Sequence, residues 1–383
     1  MIRVLQVTLG MGVGGIETLL MGLYRHIDRS DIQFDFLEHV GGDSTPRTCD
    51  EEIESLGGRI FRAPSAAGNP LAYRAFIADL LRQHPEYHIV HGHILNPCAL
   101  IYMTETKRAG RYLIAHCHNT DEQSAGRLQA TAKRACRRIA IHSANHYFAC
   151  SQEAAIYGFG KRIACSGSCD VLINGIDLGP FKVDENVHIR AKRELFPACN
   201  GPLIFNDGRL ERQKNQSFLL DVFSRILERC PSAELCIAGD GNLREMLEQK
   251  ANDLGISERT HLIGSVNNIS AYLKAADVFV FPSLFEGLGI SAIEAQACGL
   301  PTLASDCIPT KAACTDLFRP MSLDESVEAW AAAVIDLWRQ YDGRRADRIA
   351  QVRRAGFDIQ DVADELSSFY KTIDESYTCG VSR

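Results

Sequence analysis

The chain has 383 residues, of which 46% are hydrophobic and 23% are charged, and its formal net charge is −7. These fractions are ordinary for a globular protein and exclude the disordered, collagen-like and coiled-coil classes. The acidic balance argues against a general nucleic-acid binder, and the length suggests about two domains of roughly 150–200 residues each.

Short apolar stretches alternate with amphipathic helices along the chain, which predicts an α/β class with parallel sheets. In the first half the predicted strands cover residues 3–9, 33–38, 59–62, 88–91, 112–116, 146–150 and 170–173. In the second half a strand begins at 203, and others cover 234–238, 261–264, 278–282 and 302–304. Helices are predicted between them, for example over 17–27 and 71–83, and a last helix over 361–373.

Prolines and charges change the character of the chain between residues 180 and 200. We predict a first domain over 1–180, a linker over 181–200, a second domain over 201–355 and a C-terminal helix within 356–383. Both domains have the Rossmann-like alternation, so we expect two such domains facing a central cleft. In open sheets of this kind, ligands bind outside the carboxyl ends of the strands.

The fourteen cysteines are scattered and resemble the small buried thiols of a reducing compartment. Cys165 and Cys169 form the closest pair, but no second pair completes a zinc site. The first residues lead directly into a strand, so we expect no signal peptide, and no apolar run approaches the ~20 residues of a membrane helix. We therefore expect a cytoplasmic protein.

A glycine-rich loop follows the first predicted strand. Gly10, Gly12 and Gly15 satisfy G-x-G-x-x-G, and Glu38 lies near the offset of a ribose-binding acid. This pattern supports an NAD-dependent oxidoreductase as one alternative, and a simple tight turn as another. More generally, glycines let backbone amides approach an anion at a helix N-terminus.

The segment 281–295 carries the strongest signal in the chain. A predicted strand ends at Pro282, a loop holds Glu286, and glycines lead into a helix near Ile290. Free amides at such a helix start can bind a diphosphate, and Glu286 can accept hydrogen bonds from sugar hydroxyls. Glu294 lies about one turn into the helix among apolar neighbours, where a carboxylate needs a partner or the hydroxyls of a ligand.

Two cations lie in the first connection of the second predicted domain. Arg209 and Lys214 follow the strand that begins at 203. Cations beside a helix N-terminus can neutralise a leaving diphosphate. A solvated loop is the favoured interpretation for Arg212, but not for Arg209 and Lys214.

Two H-x-H pairs, His91 with His93 and His116 with His118, lie at predicted strand ends. Residues i and i+2 share a strand face, so such pairs can chelate a metal. No acidic ligand neighbours them, and hydrogen bonding to backbone or ligand is the favoured interpretation. The chain also contains no D-x-D that could hold a divalent ion on a diphosphate, so we predict no metal.

Taken together, these motifs resemble those of the retaining GT-B glycosyltransferases of family 4, and the resemblance covers nearly the whole chain. The motifs are E-x7-E from Glu286 to Glu294, G-R-x4-K from Arg209 to Lys214, residues 14–17 and the turn at 174–177. More narrowly, residues 34–36, 51–59, 115–119 and 294–297 resemble members that build bacterial exopolysaccharide and capsule repeat units.

The resemblance implies a metal-independent, retaining hexosyltransferase whose C-terminal helix packs back on the first domain. It implies no cofactor beyond the co-substrate, a nucleotide-diphosphate sugar and most simply a UDP-sugar, and a saccharide acceptor linked to a polyprenyl diphosphate. His118 would lie near the reacting sugar, Glu294 would hold the ribose, and Arg209 and Lys214 would stabilise the leaving diphosphate. The remaining implied donor contacts are Gly14, Gly15, Ile269, Glu286, Gly287, Leu288, Gly289 and Ile290. An NDP-sugar epimerase of the same fold and a non-catalytic nucleotide-sugar-binding protein stay open as alternatives.

No acidic residue occurs between Gln123 and Gln152, whereas five basic residues do. They are Arg127, Lys133, Arg134, Arg137 and Arg138. One interpretation is a solvated helix face. The other is peripheral contact with an anionic membrane on the inner face of the cell membrane, where each cation contributes ~1 kcal/mol.

Overall fold

A computed structural model describes residues 1–379 of the chain, except 13, 40, 42, 44, 119–137, 140 and 342–343. The chain forms two compact units. Unit 1 contains residues 1–176 and the chain from 356 onwards, and unit 2 contains residues 177–355. Each unit is built on one parallel sheet, so the predicted α/β class with two Rossmann-like domains is confirmed.

Unit 1 has seven strands in the order β3-β2-β1-β4-β5-β6-β7, and each neighbouring pair is parallel. The strands are β1 (Ile2–Thr8), β2 (Ile32–Glu38), β3 (Ile60–Arg62), β4 (Ile89–Gly92), β5 (Tyr112–Cys117), β6 (His146–Ala149) and β7 (Cys169–Val171). Among the described residues before 176, the helices are α1 (Gly15–His26), α2 (Asp50–Ser55), α3 (Pro70–Gln83), α4 (Ala99–Arg108), α5 (Gln152–Phe159) and α6 (Lys161–Ala164). The strand order reverses between β1 and β4, and this is where such sheets bind ligands.

Unit 2 has six strands in the order β10-β9-β8-β11-β12-β13, again all parallel. The strands are β8 (Leu203–Asp207), β9 (Glu234–Ala238), β10 (Thr260–Gly264), β11 (Val278–Phe281), β12 (Thr302–Ser305) and β13 (Phe318–Met321). The helices are α7 (Glu185–Leu195), α8 (Gln216–Arg229), α9 (Arg244–Asp253), α10 (Ile269–Ala275), α11 (Ile290–Ala297), α12 (Val327–Tyr341) and α13 (Ile349–Arg354). Here the order reverses between β8 and β11.

The range 181–200, predicted as a linker, instead contains helix α7 and belongs to unit 2. His188 of α7 is buried, and its Nδ1 pairs with the backbone oxygen of Lys274 at 2.7 Å. Lys192 donates to the Asp277 carboxylate at 2.5 Å. The charges that suggested a linker therefore make specific contacts, because the helix turns them towards buried acceptors.

The last helix, α14 (Ile359–Thr378), packs in unit 1. It starts at the N-cap Asp358, whose side chain accepts the N–H of Gln360 at 3.0 Å. Its buried face includes Val362, Leu366 and Tyr370, which join the core formed with β1, β2 and α1. The last helix of the chain therefore completes the core of the N-terminal sheet.

Candidate functional site

Neighbouring strands β8 and β11 bring the two main motifs of unit 2 together at their carboxyl ends. Lys214 Nζ lies 2.8 Å from Glu286 Oε1, and the two side chains are only 14% and 9% exposed. The ammonium also lies 4.9 Å from the centre of the Phe281 ring. Partial desolvation strengthens the attraction between these groups and holds both in place.

Gln213 and Asn215 connect the two loops through hydrogen bonds, and neither residue was predicted from the sequence. Leu284 donates its N–H to the Gln213 carbonyl at 2.8 Å, and Gln213 Nε2 donates to the Phe285 carbonyl at 2.9 Å. Asn215 Nδ2 donates to the Pro282 carbonyl at 3.1 Å. An asparagine directly before a helix was the available signal, since asparagine favours caps and turns.

Arg209 lies on the same loop but does not contact the ion pair. Its guanidinium donates to Glu211 Oε1 at 3.0 Å, and its side chain is 64% exposed. Its backbone is fixed, because Gln216 Nε2 donates to the Arg209 carbonyl at 3.1 Å. The guanidinium can therefore change partner without a change in the loop.

Helix α11 begins with unpartnered amides. Its N-cap Gly289 has φ 85°, a left-handed conformation that suits glycine, and no side chain caps the helix. Within the described part of the chain, the amides of Gly287, Leu288, Gly289 and Ile290 donate to no protein acceptor. Since the helix dipole places partial positive charge here, this end of α11 favours an anionic group.

Two carboxyl groups, Glu294 and Asp207, affect each other at this site. Burial, and to a lesser extent the Asp207 charge, raises the pKa of Glu294 to about 8. Burial also raises the pKa of Asp207, although a hydrogen bond from Ser291 opposes the shift. Asp207 Oδ1 is buried without a partner among the described residues. Asp207 was not predicted, and its signal was an acid at the end of a buried strand.

The family resemblance implies that the nucleotide base lies near residues 264–269, and this segment starts at the end of β10. Gly264, with φ 75°, accepts the N–H of Gly239 at 2.7 Å, which ties the loops after β9 and β10 together. Ile269 is the first residue of α10 and is half-buried. Gly264 ends β10, which is the edge strand on the β9 side of β8.

The glycine loop of unit 1 joins β1 to α1. Gly14 is the N-cap of α1 and Gly15 is its first residue. A side chain at Gly14 would collide with the Glu17 carboxylate, whereas one at Gly15 would meet open space. Glu38 is fully buried, with its carboxylate accepting the Met11 N–H at 2.6 Å and pairing with Arg62 at 3.0 Å. Both its oxygens are engaged, so it does not offer the free acid that a dinucleotide ribose requires.

His118 directly follows β5. Its Nε2 lies 2.9 Å from His93 Nδ1, and its own Nδ1 is buried with no partner among the described residues. Burial lowers the pKa of His118 to about 4. The ring is therefore uncharged at neutral pH and can take part in hydrogen bonds only as a neutral imidazole.

One ligand atom from each of His91, His93 and His116 lies within 4.8 Å of the others, close enough for a metal. The rings, however, form two layers, because His91 pairs with His116 at 3.2 Å and His93 pairs with His118. The layers stack with ring centres 4.3 Å and 4.0 Å apart. A lone pair lies in the plane of its ring, so each nitrogen is directed at its hydrogen-bond partner rather than at a point between the layers. This geometry favours the hydrogen-bonding interpretation.

Most of the basic stretch lies outside the described residues. This holds for Arg127, Lys133, Arg134 and Arg137, whereas Arg138 is described and exposed. Among the helices that the structure describes, none has the length and apolar character needed to cross a membrane.

Two family models match the chain in succession. The model for Glycosyltransferase Family 4 matches residues 13–179, and the model for Glycosyl transferases group 1 matches residues 190–354. The chain is 32% identical over 374 residues to the putative glycosyltransferase EpsF of Bacillus subtilis (strain 168), with 96% of each chain covered.

Two further proteins are similar to parts or all of the chain. A 139-residue segment, 36% of each chain, is 35% identical to UDP-Gal:alpha-D-GlcNAc-diphosphoundecaprenol alpha-1,3-galactosyltransferase of Escherichia coli. The crystal structure of Anabaena HepE in complex with UDP matches the fold with a TM-score of 0.75 at 18% identity, covering 97% of this chain and all of that one.

Proposed function

The chain belongs to the family 4 glycosyltransferases, which use nucleotide sugars, and from that premise we propose its donor, acceptor and stereochemistry. The donor is a UDP-sugar, and the acceptor is a hydroxyl on a saccharide linked to a lipid diphosphate. The anomeric configuration is retained, and no metal ion takes part. The observation that carries this proposal is the Lys214–Glu286 ion pair. It lies at the carboxyl ends of β8 and β11, and the chain continues from β11 into the uncapped start of α11.

Donor binding exchanges the partner of Lys214. A diphosphate at the α11 amides attracts the ammonium more strongly than one carboxylate does, because it carries two charges and more acceptor oxygens. Glu286 is then free to accept hydrogen bonds from the sugar hydroxyls. The exposed Arg209 reaches the leaving diphosphate as its charge develops.

Glu294 holds the ribose in this proposal. Its carboxylate has no hydrogen-bond donor among the described residues. The two vicinal hydroxyls of a ribose would supply the hydrogen-bond donors that a buried carboxylate requires. Deprotonated Glu294 accepts from both hydroxyls. Its protonated form has an acidic hydrogen that competes with them.

Metal independence rests on how the diphosphate charge is met. Lys214, Arg209 and the α11 amides supply positive charge, and the sequence offers no D-x-D to hold an ion. Transfer should continue in excess EDTA. Complete loss with EDTA, restored by Mn²⁺, would contradict this part of the proposal.

Retention rests on the family resemblance. Departure of the diphosphate and attack by the acceptor on the same face, assisted by the leaving phosphate, gives retention without a protein nucleophile. NMR of the anomeric proton in the isolated product tests this, and an inverted configuration would reject it.

The lipid-linked acceptor is supported by the printed name of the Escherichia coli relative, which specifies a diphosphoundecaprenol substrate. The basic stretch would then keep the protein near that lipid at the membrane surface. Flotation with anionic vesicles tests the contact, with Arg134, Arg137 and Arg138 all changed to Gln as the comparison. Equal flotation of the two proteins would remove this role of the basic stretch.

A panel of UDP-, GDP- and ADP-sugars, scored by thermal shift and then by transfer, tests the donor. Stabilisation by NAD instead of a sugar nucleotide would favour the oxidoreductase. Both carboxylate oxygens of Glu38 already form hydrogen bonds within the protein, which argues against that alternative. Turnover of the donor into its epimer without any acceptor would favour an epimerase.

A further inference from the structure

We propose that the side-chain amide of Gln6, held by Tyr370, fixes the tautomers of four stacked histidines so that His118 presents an unprotonated Nδ1 at the carboxyl end of β5. The four are His91, His93, His116 and His118. The assignment of tautomers concerns unit 1 alone, and its consequence for sugar transfer rests on the proposed function.

Both the nitrogen and the oxygen of the Gln6 side-chain amide form hydrogen bonds. Gln6 is fully buried on β1, and its Nε2 donates to Tyr370 Oη at 3.3 Å. Its Oε1 accepts from His93 Nε2 at 2.9 Å. An amide nitrogen only donates and an amide oxygen only accepts, so the amide sets the direction of every hydrogen bond that follows.

The first arm of the network runs from Gln6 to His118. Because Gln6 Oε1 only accepts, His93 Nε2 must carry the proton. Burial lowers the pKa of both His93 and His118, so each ring is neutral and carries one proton. His93 Nδ1 is then an acceptor, and His118 Nε2, 2.9 Å away, must donate to it. His118 Nδ1 is left with a free lone pair.

The second arm runs from Tyr370 to His116. Tyr370 Oη accepts a hydrogen bond from the Gln6 amide nitrogen. Its own O–H is then directed at His91 Nδ1, 2.6 Å away, and donates a hydrogen bond to it. His91 Nε2 therefore carries the proton of this ring and donates a hydrogen bond to His116 Nδ1 at 3.2 Å. This arm ends in a protonated His116 Nε2.

The two arms end in opposite functions. His118 Nδ1 is an acceptor and His116 Nε2 is a donor, and both atoms are buried without a partner among the described residues. Their rings stack with centres 4.0 Å apart. A hydroxyl can donate a hydrogen bond, so the open acceptor at His118 Nδ1 suits a hydroxyl of the reacting sugar. His118 would accept a hydrogen bond from that hydroxyl.

The network has two self-consistent states, and the observed orientation of the Gln6 amide, with Nε2 towards Tyr370 and Oε1 towards His93, selects one of them. Turning the Gln6 amide by 180° reverses all four tautomers, and His118 Nδ1 then becomes a donor. A mixed state places two protons or two lone pairs face to face, which is unfavourable in a buried site. Gln6 and Tyr370 are therefore positioning residues, because they act on the sugar only through His118.

The direct test is ¹⁵N NMR of protein labelled at histidine, with the His118 signals assigned from their loss in His118→Gln. Long-range proton–nitrogen correlation shows which ring nitrogen carries the proton. We expect His118 to be protonated at Nε2 and unprotonated at Nδ1 in the ligand-free protein. A protonated Nδ1 would overturn the inference.

The variants Gln6→Met and Tyr370→Phe test which residues determine the tautomer of His118. Gln6→Met removes the amide and Tyr370→Phe removes the hydroxyl that its Nε2 contacts, so both His118 tautomers should be populated. In each variant kcat should fall about five- to tenfold while the Kd of the UDP-sugar stays unchanged. Tyr377→Phe is the matched control, because it removes another α14 hydroxyl, one that contacts Arg111 outside the network. An unaltered single tautomer in Gln6→Met would overturn the role of Gln6.

The two proposals fail in distinguishable ways. If His118 has the expected tautomer but no sugar nucleotide supports transfer, the proposed function fails and the tautomer assignment stands. If transfer occurs but His118 carries its proton on Nδ1, the tautomer assignment fails and the proposed function stands.

Discussion

Changing Glu294 to Gln should abolish the pH dependence of donor binding. Burial and the nearby Asp207 raise the pKa of Glu294 to about 8, so the carboxyl is mostly protonated at pH 7. Ribose hydroxyls donate best to the ionised form. Binding must therefore remove a proton, and affinity should increase as the pH rises towards 8.

The size of the effect follows from the pKa. If the donor binds only ionised Glu294, its apparent Kd is multiplied by about 100 at pH 6, about 10 at pH 7 and about 2 at pH 8. The Kd should therefore fall about fiftyfold between pH 6 and pH 8, and about 0.9 proton should be released per donor bound near pH 7. A UDP-sugar suits the measurement, because both its phosphates are esterified and do not titrate in this range.

Isothermal titration calorimetry in two buffers of different ionisation enthalpy measures both quantities. Glu294→Gln should bind with a flat pH profile and release no proton. Glu245→Gln is the matched control, an exposed acid on α9 of the same unit, and it should behave as the wild type. A flat profile in the wild type, or an unchanged slope in Glu294→Gln, would refute the reasoning.

Three further predictions concern unit 2. The free energy of unfolding of the wild type should fall as the pH rises from about 4.5 to about 8, because native Glu294 keeps its proton after the unfolded chain has released it. Urea unfolding at pH 5 and at pH 8 measures this fall, which should be smaller in Glu294→Gln than in the wild type. Arg209→Ala should lower kcat more than it raises donor Kd, because the guanidinium acts on charge that develops in the reaction, and an effect confined to Kd would contradict this. Asn215→Val should lower the free energy of unfolding by about 1–3 kcal/mol, since φ is 55° there, whereas Asn215→Gly should lower it less; equal losses in urea melts would contradict the conformational explanation.

Strands with apolar runs were predictable from sequence. The predicted range 234–238 matches β9 (Glu234–Ala238), and the ends of the other predicted strands differ from the observed ends by at most two residues. The edge strand β13 (Phe318–Met321) was missed because Arg and Pro interrupt it and its central positions are exposed. Pairing with β12, rather than its own pattern, makes this segment a strand.

The sequence indicated which residues to consider for the candidate site, but it did not indicate which residues they contact. The apolar neighbours of Glu294 indicated a carboxylate in need of a ligand, and its raised pKa agrees with that burial. The contact of Lys214 with Glu286 joins positions 72 residues apart, and no local pattern encodes such a distance. The H-x-H spacing likewise placed pairs of histidines on one strand face, whereas the partner of His91 is Tyr370, which comes from the far end of the chain.

The return of α14 to unit 1 has a consequence for synthesis on the ribosome. The N-terminal sheet emerges first, but the helix that covers its core is translated only after the whole of unit 2. At ~5–20 residues per second, that delay is roughly 10–35 s. During this interval the apolar surface around Val4 and Phe34 lacks its cover, so the nascent chain is most exposed to aggregation, and most in need of a chaperone, while unit 2 is still being made.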